Sequence, residues 1–318
     1  MSSPIAVQPP DRLAIRVGGT PEGYRDIAAF HRERILSLLP PEWSWDGKRV
    51  LDFGCGPGRT LSEFVAATHG AEFVGCDIHD QSIAWARSNL PGISFLLNEE
   101  RPPLDLPSNS FDLVYGVSVF THLTEHWSGW LAETHRLLRP GGFAIFSFLG
   151  EALWEPFGAG TSTRWADDET GMMVTGLGRT WDEGGPNVFH SEWWLREHWG
   201  RGFEVVELRA RDTYKGVEGH GWIALRRGDG ELTAADLERF DPADRREALA
   251  LARNLRILMR EGGQQAERAQ ALQNEISRLR TELDGVYAGR SWRLTAPLRL
   301  AASKARGRLA EVSARRSR

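Results

Sequence analysis

The sequence predicts an α/β protein with a mostly parallel sheet, helices on both faces, a C-terminal helical coiled coil and a basic tail. Short apolar runs alternate with helix-like segments from residue 49 to residue 148, as is typical of parallel sheets. Three glycines (Gly54, Gly56 and Gly58) separate the first run from the first of these helices. From Thr233 onward, Ala, Leu, Glu and Arg dominate, and apolar residues recur at helical spacing.

Composition excludes several classes of protein. The chain has 318 residues, 41% hydrophobic and 26% charged, which is ordinary for a globular protein. No apolar run is long enough to span a bilayer, and the first residues lack the basic and apolar regions of a secretion signal. Cys55 and Cys76 are the only cysteines, which suits a reducing compartment. We therefore expect a cytoplasmic protein.

Seven strands are predicted, each a short apolar run bounded by turn residues. They cover residues 49–53, 72–77, 94–97, 111–117, 143–148, 203–209 and 221–226. Helices are predicted where apolar residues recur every three or four positions, and several of them end at Pro or Gly. They cover residues 26–39, 60–68, 81–89, 125–138 and 192–199.

Residues 150–190 interrupt this alternation and are rich in Gly, Trp and Thr. A loop of this length is usually functional, often as a lid or a substrate wall. Tryptophan faces stack on sugar rings, but they also form small cores, and packing is the more common role. The six tryptophans between residues 150 and 200 are Trp154, Trp165, Trp181, Trp193, Trp194 and Trp199.

The helical segment carries an apolar seam with alternating spacings of three and four. Its members are Ala248, Leu251, Leu255, Leu258, Gly262, Gln265, Ala269, Leu272, Ile276, Leu279, Leu283 and Val286. The flanking positions are nearly all polar, which favours a coiled coil over a helix packed on the core. This seam predicts a homo-oligomer.

Charge is segregated toward the C-terminus. From residue 289 onward there are nine Lys or Arg residues and one acid, a net charge of +8, whereas the preceding 288 residues carry −12. Apolar residues such as Trp292 and Leu298 lie among these charges. No nucleic-acid-binding fold accompanies them, so the tail predicts peripheral contact with an anionic membrane or an acidic protein, and no nucleic acid partner.

The glycine loop predicts a nucleotide-containing ligand. In VLDFGCGPG, residues 50–58, glycines let the backbone approach a ligand, and the following helix offers free N–H groups. Asp77 closes the second strand, 19 residues after Gly58, where an acid accepts hydrogen bonds from ribose hydroxyls. Its alternative role is helix capping, although Asp80 is the more natural cap. The competing NAD interpretation fits the Gly-x-Gly-x-Gly spacing poorly.

Four motifs in order extend this interpretation: VLDFGCGPG, FVGCDI, FDLVYGVSVFTHL and HRLLRPGG. Together they resemble the class I S-adenosylmethionine-dependent methyltransferase family, over about residues 46–228. The resemblance implies a Rossmann-like seven-stranded sheet with an antiparallel strand at 220–227, and S-adenosylmethionine as cofactor. The cofactor-binding residues that it implies are Asp52, Gly54, Cys55, Gly56, Gly58, Asp77, Ile78, Asn98, Glu99, Val117 and Ser118.

The resemblance also implies a role for each of these residues. The glycine loop would hold the methionine part of the cofactor, and Asp52 would hold its amino group. Asp77 would bind the ribose hydroxyls, Ile78 would pack on the adenine, and Asn98 or Glu99 would lie near the adenine amino group. The two residues that end the fourth strand, Val117 and Ser118, would line the face where the methyl group is transferred.

An alcohol acceptor requires a base, and histidine is the usual one. His122 follows the fourth strand at the carboxyl edge of the sheet, where ligands bind in such folds, so it is the candidate catalytic residue. A structural role for His122 stays equally open, and structural roles are favoured for His126 and His190. No Cys/His cluster or Asp pair has the spacing of metal ligands, so no metal is expected.

The C-terminus carries a second resemblance. Its segment LQNEISRLRTELDGVYAGRSWRLTAPLR resembles the ending of bacterial enzymes that build surface polysaccharides. The implied function is O-methylation of a sugar in a surface glycan, at the inner face of the membrane. The alternatives are methylation of a small molecule or a protein nitrogen, and a non-catalytic scaffold.

The predicted organisation therefore has four parts. An N-terminal helical cover, residues 1–45, precedes the methyltransferase-like domain, residues 46–228. The coiled-coil segment follows at 229–288, and the basic tail occupies 289–318.

Overall fold

The computed structural model describes residues 7–18, 20–157, 164–180 and 184–288. The strands are β1 Arg49–Phe53, β2 Glu72–Asp77, β3 Ile93–Leu97, β4 Phe111–Gly116, β5 Leu138–Phe148, β6 Met172–Thr175, β7 Asn187–His190, β8 Phe203–Arg209, β9 Asp212–Tyr214, β10 Val217–Gly219 and β11 Gly221–Arg227. The α-helices are α1 Asp11–Arg16, α2 Tyr24–Leu38, α3 Arg59–Ala67, α4 Asp80–Asn89, α5 Trp127–Leu137, α6 Trp154–Phe157, α7 Glu192–Trp194, α8 Ala234–Glu238 and α9 Arg245–Ala288.

Seven strands form one sheet in the order β3-β2-β1-β4-β5-β11-β8. The strands β1 to β5 pair in parallel, whereas β11 runs antiparallel to both β5 and β8. The predicted Rossmann-like sheet is confirmed, including its antiparallel strand at 220–227. Because β1 and β4 are neighbours while their chain connections diverge, a crevice opens at their carboxyl ends.

Both faces of the central strands β1, β4 and β5 are buried, and consecutive residues of β1 alternate between the two faces. Val50 packs with Ile35 of α2 and Phe64 of α3 on one face. On the other face, Leu51 belongs to a core that includes Trp130 of α5. Burial on both faces explains why the sequences of these strands are continuous apolar runs.

Two local predictions are wrong. The fifth strand begins at Leu138 rather than residue 143, because Leu138 pairs with Phe111 and the turn-like Pro-Gly-Gly sequence is accommodated by a register shift within the pair. The cap of α4 is His79, whose ring nitrogen accepts a hydrogen bond from the Ser82 amide at 3.2 Å. Asp80, the predicted cap, is the first helical residue.

The interruption at 150–190 contains a hairpin as well as loops. In it, β6 and β7 pair antiparallel, and the hairpin is fixed to the sheet by a bridge from Phe189 to Leu149. The Val188 amide also donates to the Thr121 carbonyl at 2.7 Å. These bonds hold the hairpin beside the loop that follows β4.

The chain divides into compact units at 1–259 and 260–318. This division lies later than the boundary that the sequence suggests near Gly228, because Leu237, Ala250 and Ile257 are buried in the first unit. In the second unit the structure describes α9 up to residue 288. The basic tail lies outside the described residues, so its membrane or protein contact stays a prediction. Within the described residues, no helix meets the length and apolarity needed to cross a membrane.

Candidate active site

The loop after β1 brings its backbone against a cavity at the carboxyl edge of the sheet. Gly54 and Gly56 adopt the left-handed conformation, with φ of 77° and 55°. A Cβ on Gly54 would lie 2.4 Å from Val119 Cγ2, and one on Gly56 would lie 2.5 Å from Val17 Cγ1. Glycine is therefore required at both positions by conformation and by space.

Asp77 fixes this loop to the start of α4. Its Oδ2 accepts from the Gly56 amide at 2.7 Å, and its Oδ1 accepts from the His79 amide at 2.8 Å. The amides of Gly54 and Cys55 donate to the Cys76 carbonyl at 2.8 and 2.9 Å. The carboxylate thus shapes the loop as well as lining the cavity.

Asp52 is the buried acid of the site, with 3% of its surface exposed. Burial raises its pKa to about 8, and the nearby charge of Asp77 acts in the same direction, while Tyr115 and Arg59 oppose the shift. The carboxyl is therefore largely protonated at neutral pH in the free protein. A cation bound beside it would favour ionisation.

The cavity has a volume of about 700 Å³. Ten of the eleven predicted cofactor-binding residues line it: Asp52, Gly54, Cys55, Gly56, Asp77, Ile78, Asn98, Glu99, Val117 and Ser118. Gly58 is not among the lining residues and instead directly precedes α3. The structure brings these side chains to one place, while their individual roles stay predictions.

Asn98 offers a hydrogen-bond acceptor to the cavity. Its Nδ2 donates to the Glu99 carbonyl at 2.8 Å, which fixes the orientation of the amide because a carbonyl only accepts. Its Oδ1 is buried and has no partner within the described residues. Such an atom requires a donor from a ligand or water, and the amino group of an adenine would satisfy it.

His122 lies in the loop between β4 and α5, on the cavity wall. Its Nδ1 is 2.7 Å from the Pro186 carbonyl, so Nδ1 carries the proton in the neutral ring and Nε2 does not. Burial lowers the pKa of His122, although the bond to Pro186 acts in the opposite direction. The ring is thus neutral at neutral pH, in the form that a general base requires.

Ser118, two residues after β4, has a left-handed conformation, with φ of 59°, which is costly for a residue with a Cβ. Its amide donates to Ser147 Oγ at 2.7 Å, and its hydroxyl lies 3.1 Å from that of Thr121. Ser147 Oγ is in turn 3.1 Å from His220 Nδ1. These hydrogen bonds stabilise the strained turn at Ser118, which lines the cavity.

The other two candidate histidines occupy different places. His126 lines the cavity and directly precedes α5. His190 is fully buried among Trp194 and Trp199, with ring centroids 5.3 and 5.8 Å away, and burial lowers its pKa to about 3. The favoured packing role suits this position of His190.

Sequence reasoning missed the N-terminal wall of the cavity. Ile15, Val17 and Gly18 line it, and the buried Arg59 donates to the Gly18 carbonyl at 2.7 Å. Pro186 and Leu177 of the interruption line it as well. Leu177 and Pro186 belong to residues 150–190, for which a lid or substrate wall is predicted, whereas no sequence pattern singled out the other residues of this wall.

The described tryptophans of residues 150–200 pack rather than line the cavity. Trp154 is in a small core with Phe189, while Trp194 and Trp199 belong to the main core. The indole of Trp193 donates to the carbonyls of Asp167 and Thr170. Trp165 packs against the small core, and Trp181 lies outside the described residues. These five side chains do not form a sugar-stacking wall.

Comparison with known proteins identifies the part of the chain that carries this cavity. Residues 50–142 match the family described as a methyltransferase domain. This segment is therefore similar to a methyltransferase domain. Its match supports the expected enzyme class and S-adenosylmethionine as the cofactor, and the cavity described above lies at its glycine loop.

Curated relatives of the methyltransferase domain carry names of lipid and fatty-acid enzymes. Phthiotriol/phenolphthiotriol dimycocerosates methyltransferase 1 of Mycobacterium ulcerans (strain Agy99) is 34% identical over 49% of this chain and 56% of its own length. Malonyl-[acyl-carrier protein] O-methyltransferase of Methylococcus capsulatus is 33% identical over 47% of this chain and 56% of its own length. The chain thus spans little more than half of these relatives.

A solved structure is also similar. The crystal structure of an S-adenosylmethionine-dependent methyltransferase from Mesorhizobium loti has a TM-score of 0.43 and 19% identity. The similarity covers 61% of this chain and 96% of that chain.

In the described residues, no three His, Cys, Asp or Glu side chains are grouped so that they could hold a metal ion.

Proposed function

We propose that this chain transfers the methyl group of S-adenosylmethionine to a hydroxyl oxygen, with His122 as general base. The observation that carries the proposal is the bond from His122 Nδ1 to the Pro186 carbonyl, at 2.7 Å. It leaves Nε2 as the basic nitrogen of a neutral ring on the cavity wall. The matched domain and the glycine loop supply the rest of the argument.

The residues present fit the cofactor. The buried carboxyl of Asp52 suits its ammonium group, Asn98 Oδ1 suits the adenine amino group, and Asp77 suits the ribose hydroxyls. When bound, S-adenosylmethionine supplies an electrophilic methyl group on a positively charged sulfur. The glycine loop would place its backbone against the cofactor, and α1 with the residues after it would close the other side.

His122 removes the acceptor proton in the proposed reaction. Its Nε2 takes the hydroxyl proton as the acceptor oxygen bonds to the methyl carbon and the carbon–sulfur bond breaks. The Pro186 carbonyl stabilises the imidazolium that results, because it accepts from Nδ1 in both states of the ring. Most of the remaining catalysis is alignment of oxygen, methyl carbon and sulfur.

The proposed acceptor is a sugar hydroxyl of a surface glycan or lipid-linked glycan. Its support is the C-terminal resemblance to surface-polysaccharide enzymes. In this proposal, the basic tail of the cytoplasmic protein would contact the inner face of the membrane, and the exposed seam of α9 would join copies of the chain.

A lipid hydroxyl is the second candidate acceptor. Four apolar side chains line the same cavity as His122: Val119, Leu123, Trp130 and Leu177. Relatives are named for a phthiotriol and for fatty acids. These observations favour an acceptor with an apolar body around the reactive oxygen.

Transfer of labelled methyl into fractionated cell envelope tests both acceptors. The purified chain is incubated with methyl-labelled S-adenosylmethionine, and label is followed into polymeric or lipid-linked carbohydrate, free lipid, protein and small molecules. His122→Ala should abolish most labelling while keeping cofactor binding, and His69→Ala, at an exposed histidine outside the cavity, should not.

The label's destination decides between the proposals. Label in carbohydrate supports the sugar acceptor, and label in free lipid supports the second candidate. Label confined to protein or to small molecules contradicts both acceptors. Cofactor binding without label in any fraction favours the scaffold alternative.

A further inference from the structure

α9 presents two different apolar faces along its length. One face packs on the first unit: Ala250 and Ile257 are buried, and Asn254 Oδ1 accepts from the Val174 amide at 2.9 Å. These residues are not members of the predicted seam. The helix therefore packs on the first unit through one stripe of residues, and its seam remains available to bind a partner.

The seam is exposed along the helix. Leu251 and Leu255 are 62% and 55% exposed in the first unit. In the second unit the exposed members are Leu272, Ile276, Leu279 and Leu283, at 48–65%. Single exposed leucines are ordinary, but the row of four from Leu272 to Leu283 on one helix face marks a binding surface.

The spacing of this row assigns heptad positions. Ile276 and Leu283 occupy a positions, and Leu272 and Leu279 occupy d positions. The flanking e and g positions are polar throughout this stretch: Arg268, Gln273, Glu275, Arg280 and Glu282. An apolar stripe restricted to a and d is narrow, which suits a two-stranded coiled coil, and Ile at a with Leu at d favours the same number of strands.

Charges beside the seam select the orientation. In a parallel pair in register, Glu275 at g faces Arg280 at e of the second copy, and this favourable contact occurs twice. An antiparallel pair centred on the same residues would place Glu275 opposite Glu282 of the second copy, also twice. Arg280 has no hydrogen bond or ion pair with a described residue, whereas Arg278 already pairs with Glu275 and Glu282 along the helix.

We propose that the seam of α9 from Ala269 to Leu283 binds a second copy of this chain as a parallel, in-register, two-stranded coiled coil. The occupant is the same chain because the Glu275 and Arg280 positions are complementary to themselves under this pairing. The proposal does not depend on the enzymatic activity. It gives each assembly two methyltransferase domains.

The first test is the mass of the full chain in solution by light scattering after size exclusion. The expected mass is twice the 35.6 kDa of one chain. Ile276→Asp with Leu283→Asp should give monomer, and Ser277→Asp with Thr281→Asp, outside the seam, should leave the dimer intact. A monomeric wild-type chain, or a trimer or larger assembly, would overturn the proposal.

Cross-linking then tests orientation and register. Both native cysteines are buried, so a single exposed cysteine reports on its own neighbours. Leu279→Cys should form an interchain disulfide under mild oxidation, because equivalent d positions meet across a parallel pair. Thr281→Cys, on the outer face, should not. Equal cross-linking at both positions, or none at Leu279→Cys, contradicts the parallel arrangement.

Charge reversal gives an independent readout of orientation. Glu275→Arg brings two guanidinium groups together in the parallel pair, because the new side chain faces Arg280, and it should raise the dissociation constant of the dimer. In the antiparallel pair, the same change would replace a repulsion with Glu282 by an attraction and strengthen association. Adding Arg280→Glu should restore the parallel dimer toward the wild-type dissociation constant, and failure of this rescue contradicts the assigned pair.

Discussion

Two ionisable side chains of the cavity are held neutral by burial. Asp52 keeps its proton because burial raises its pKa to about 8, and His122 loses its proton because burial lowers its pKa. Asp52 can therefore ionise when a cation binds beside it, and neutral His122 can accept a proton. Opposite shifts in one cavity are the pattern expected of a binding acid and a catalytic base.

Asp52→Asn should stabilise the free protein at alkaline pH and weaken binding of S-adenosylmethionine. Because the pKa of Asp52 is higher in the folded state, its contribution to stability is lost as pH rises from about 4 through about 8. Asp52→Asn removes this loss, so the free energy of unfolding of the variant should exceed that of the wild type by up to about 5 kcal/mol at pH 8 and above. Denaturant unfolding across pH, with cofactor calorimetry at pH 8, measures both effects. A variant no more stable than wild type at pH 8 contradicts a buried, protonated Asp52.

His122→Ala should lower kcat/KM by about 10²- to 10⁴-fold if His122 is the base. The wild-type rate should fall on acidification below the ordinary histidine pKa of 6.5, because burial moves the pKa downward, and it should be steady at neutral pH. This acid limb should disappear in the variant. If both proteins share the same acid limb, another group controls proton transfer.

The cofactor side of the site is predictable residue by residue, whereas the covering wall is predictable only as two segments, residues 1–45 and 150–190. The glycine loop and Asp77 are local signals, since the spacing within one strand–loop–helix unit sets their positions. Val17 and Pro186 reach the cavity through tertiary packing, from segments 39 and 64 residues away from Gly56 and His122 respectively. No local pattern encodes such contacts.

At the scale of elements, α9 shows how one helix serves two surfaces. The heptad seam was visible in the sequence because its leucines dominate the pattern. The docking stripe consists of Ala250, Asn254 and Ile257, with a polar member, and it is offset by one residue from the seam. The domain boundary predicted near Gly228 follows from the end of the last strand and the change in composition at Thr233.

Ile257→Ala should destabilise the first unit by about 2–5 kcal/mol, because Ile257 is 2% exposed in a small core with Leu149, Trp154 and Phe189. Met259→Ala, at a side chain 69% exposed and outside the seam, should change stability by less than about 0.5 kcal/mol. Denaturant unfolding at fixed protein concentration compares them. Equal stabilities would mean that α9 does not contribute to this core.

The strands of the sheet were predicted within one residue, except at the start of β5. Buried parallel strands are recognisable as apolar runs, so β1 and β2 are found at their predicted bounds. The bounds of β8, an antiparallel edge strand, were also predicted correctly. The hairpin of β6 and β7 was missed because Gly and Trp in that region mask its short alternation. Its pairing is fixed by contacts with Leu149 and Thr121, which are distant in sequence.

At the scale of the whole molecule, the described residues that line the cavity and the seam from Ala269 to Leu283 belong to different compact units. A chain ending at Met259 should keep cooperative unfolding and cofactor binding, because every described residue lining the cavity precedes residue 187. It should also become monomeric. Calorimetry measures unfolding and cofactor binding, and light scattering measures the mass of the same sample. Loss of cofactor binding in a folded, truncated chain would contradict this separation.

The central claim is that the glycine-loop cavity binds S-adenosylmethionine. Calorimetric titration of the cofactor into the purified chain, compared with Gly56→Val, tests it most directly. A valine there meets both a left-handed backbone and Val17 at the cavity wall. We predict one site per wild-type chain and no measurable binding to a variant whose fold is intact by circular dichroism. Absence of binding to the wild type, or equal affinity in the variant, would contradict the claim.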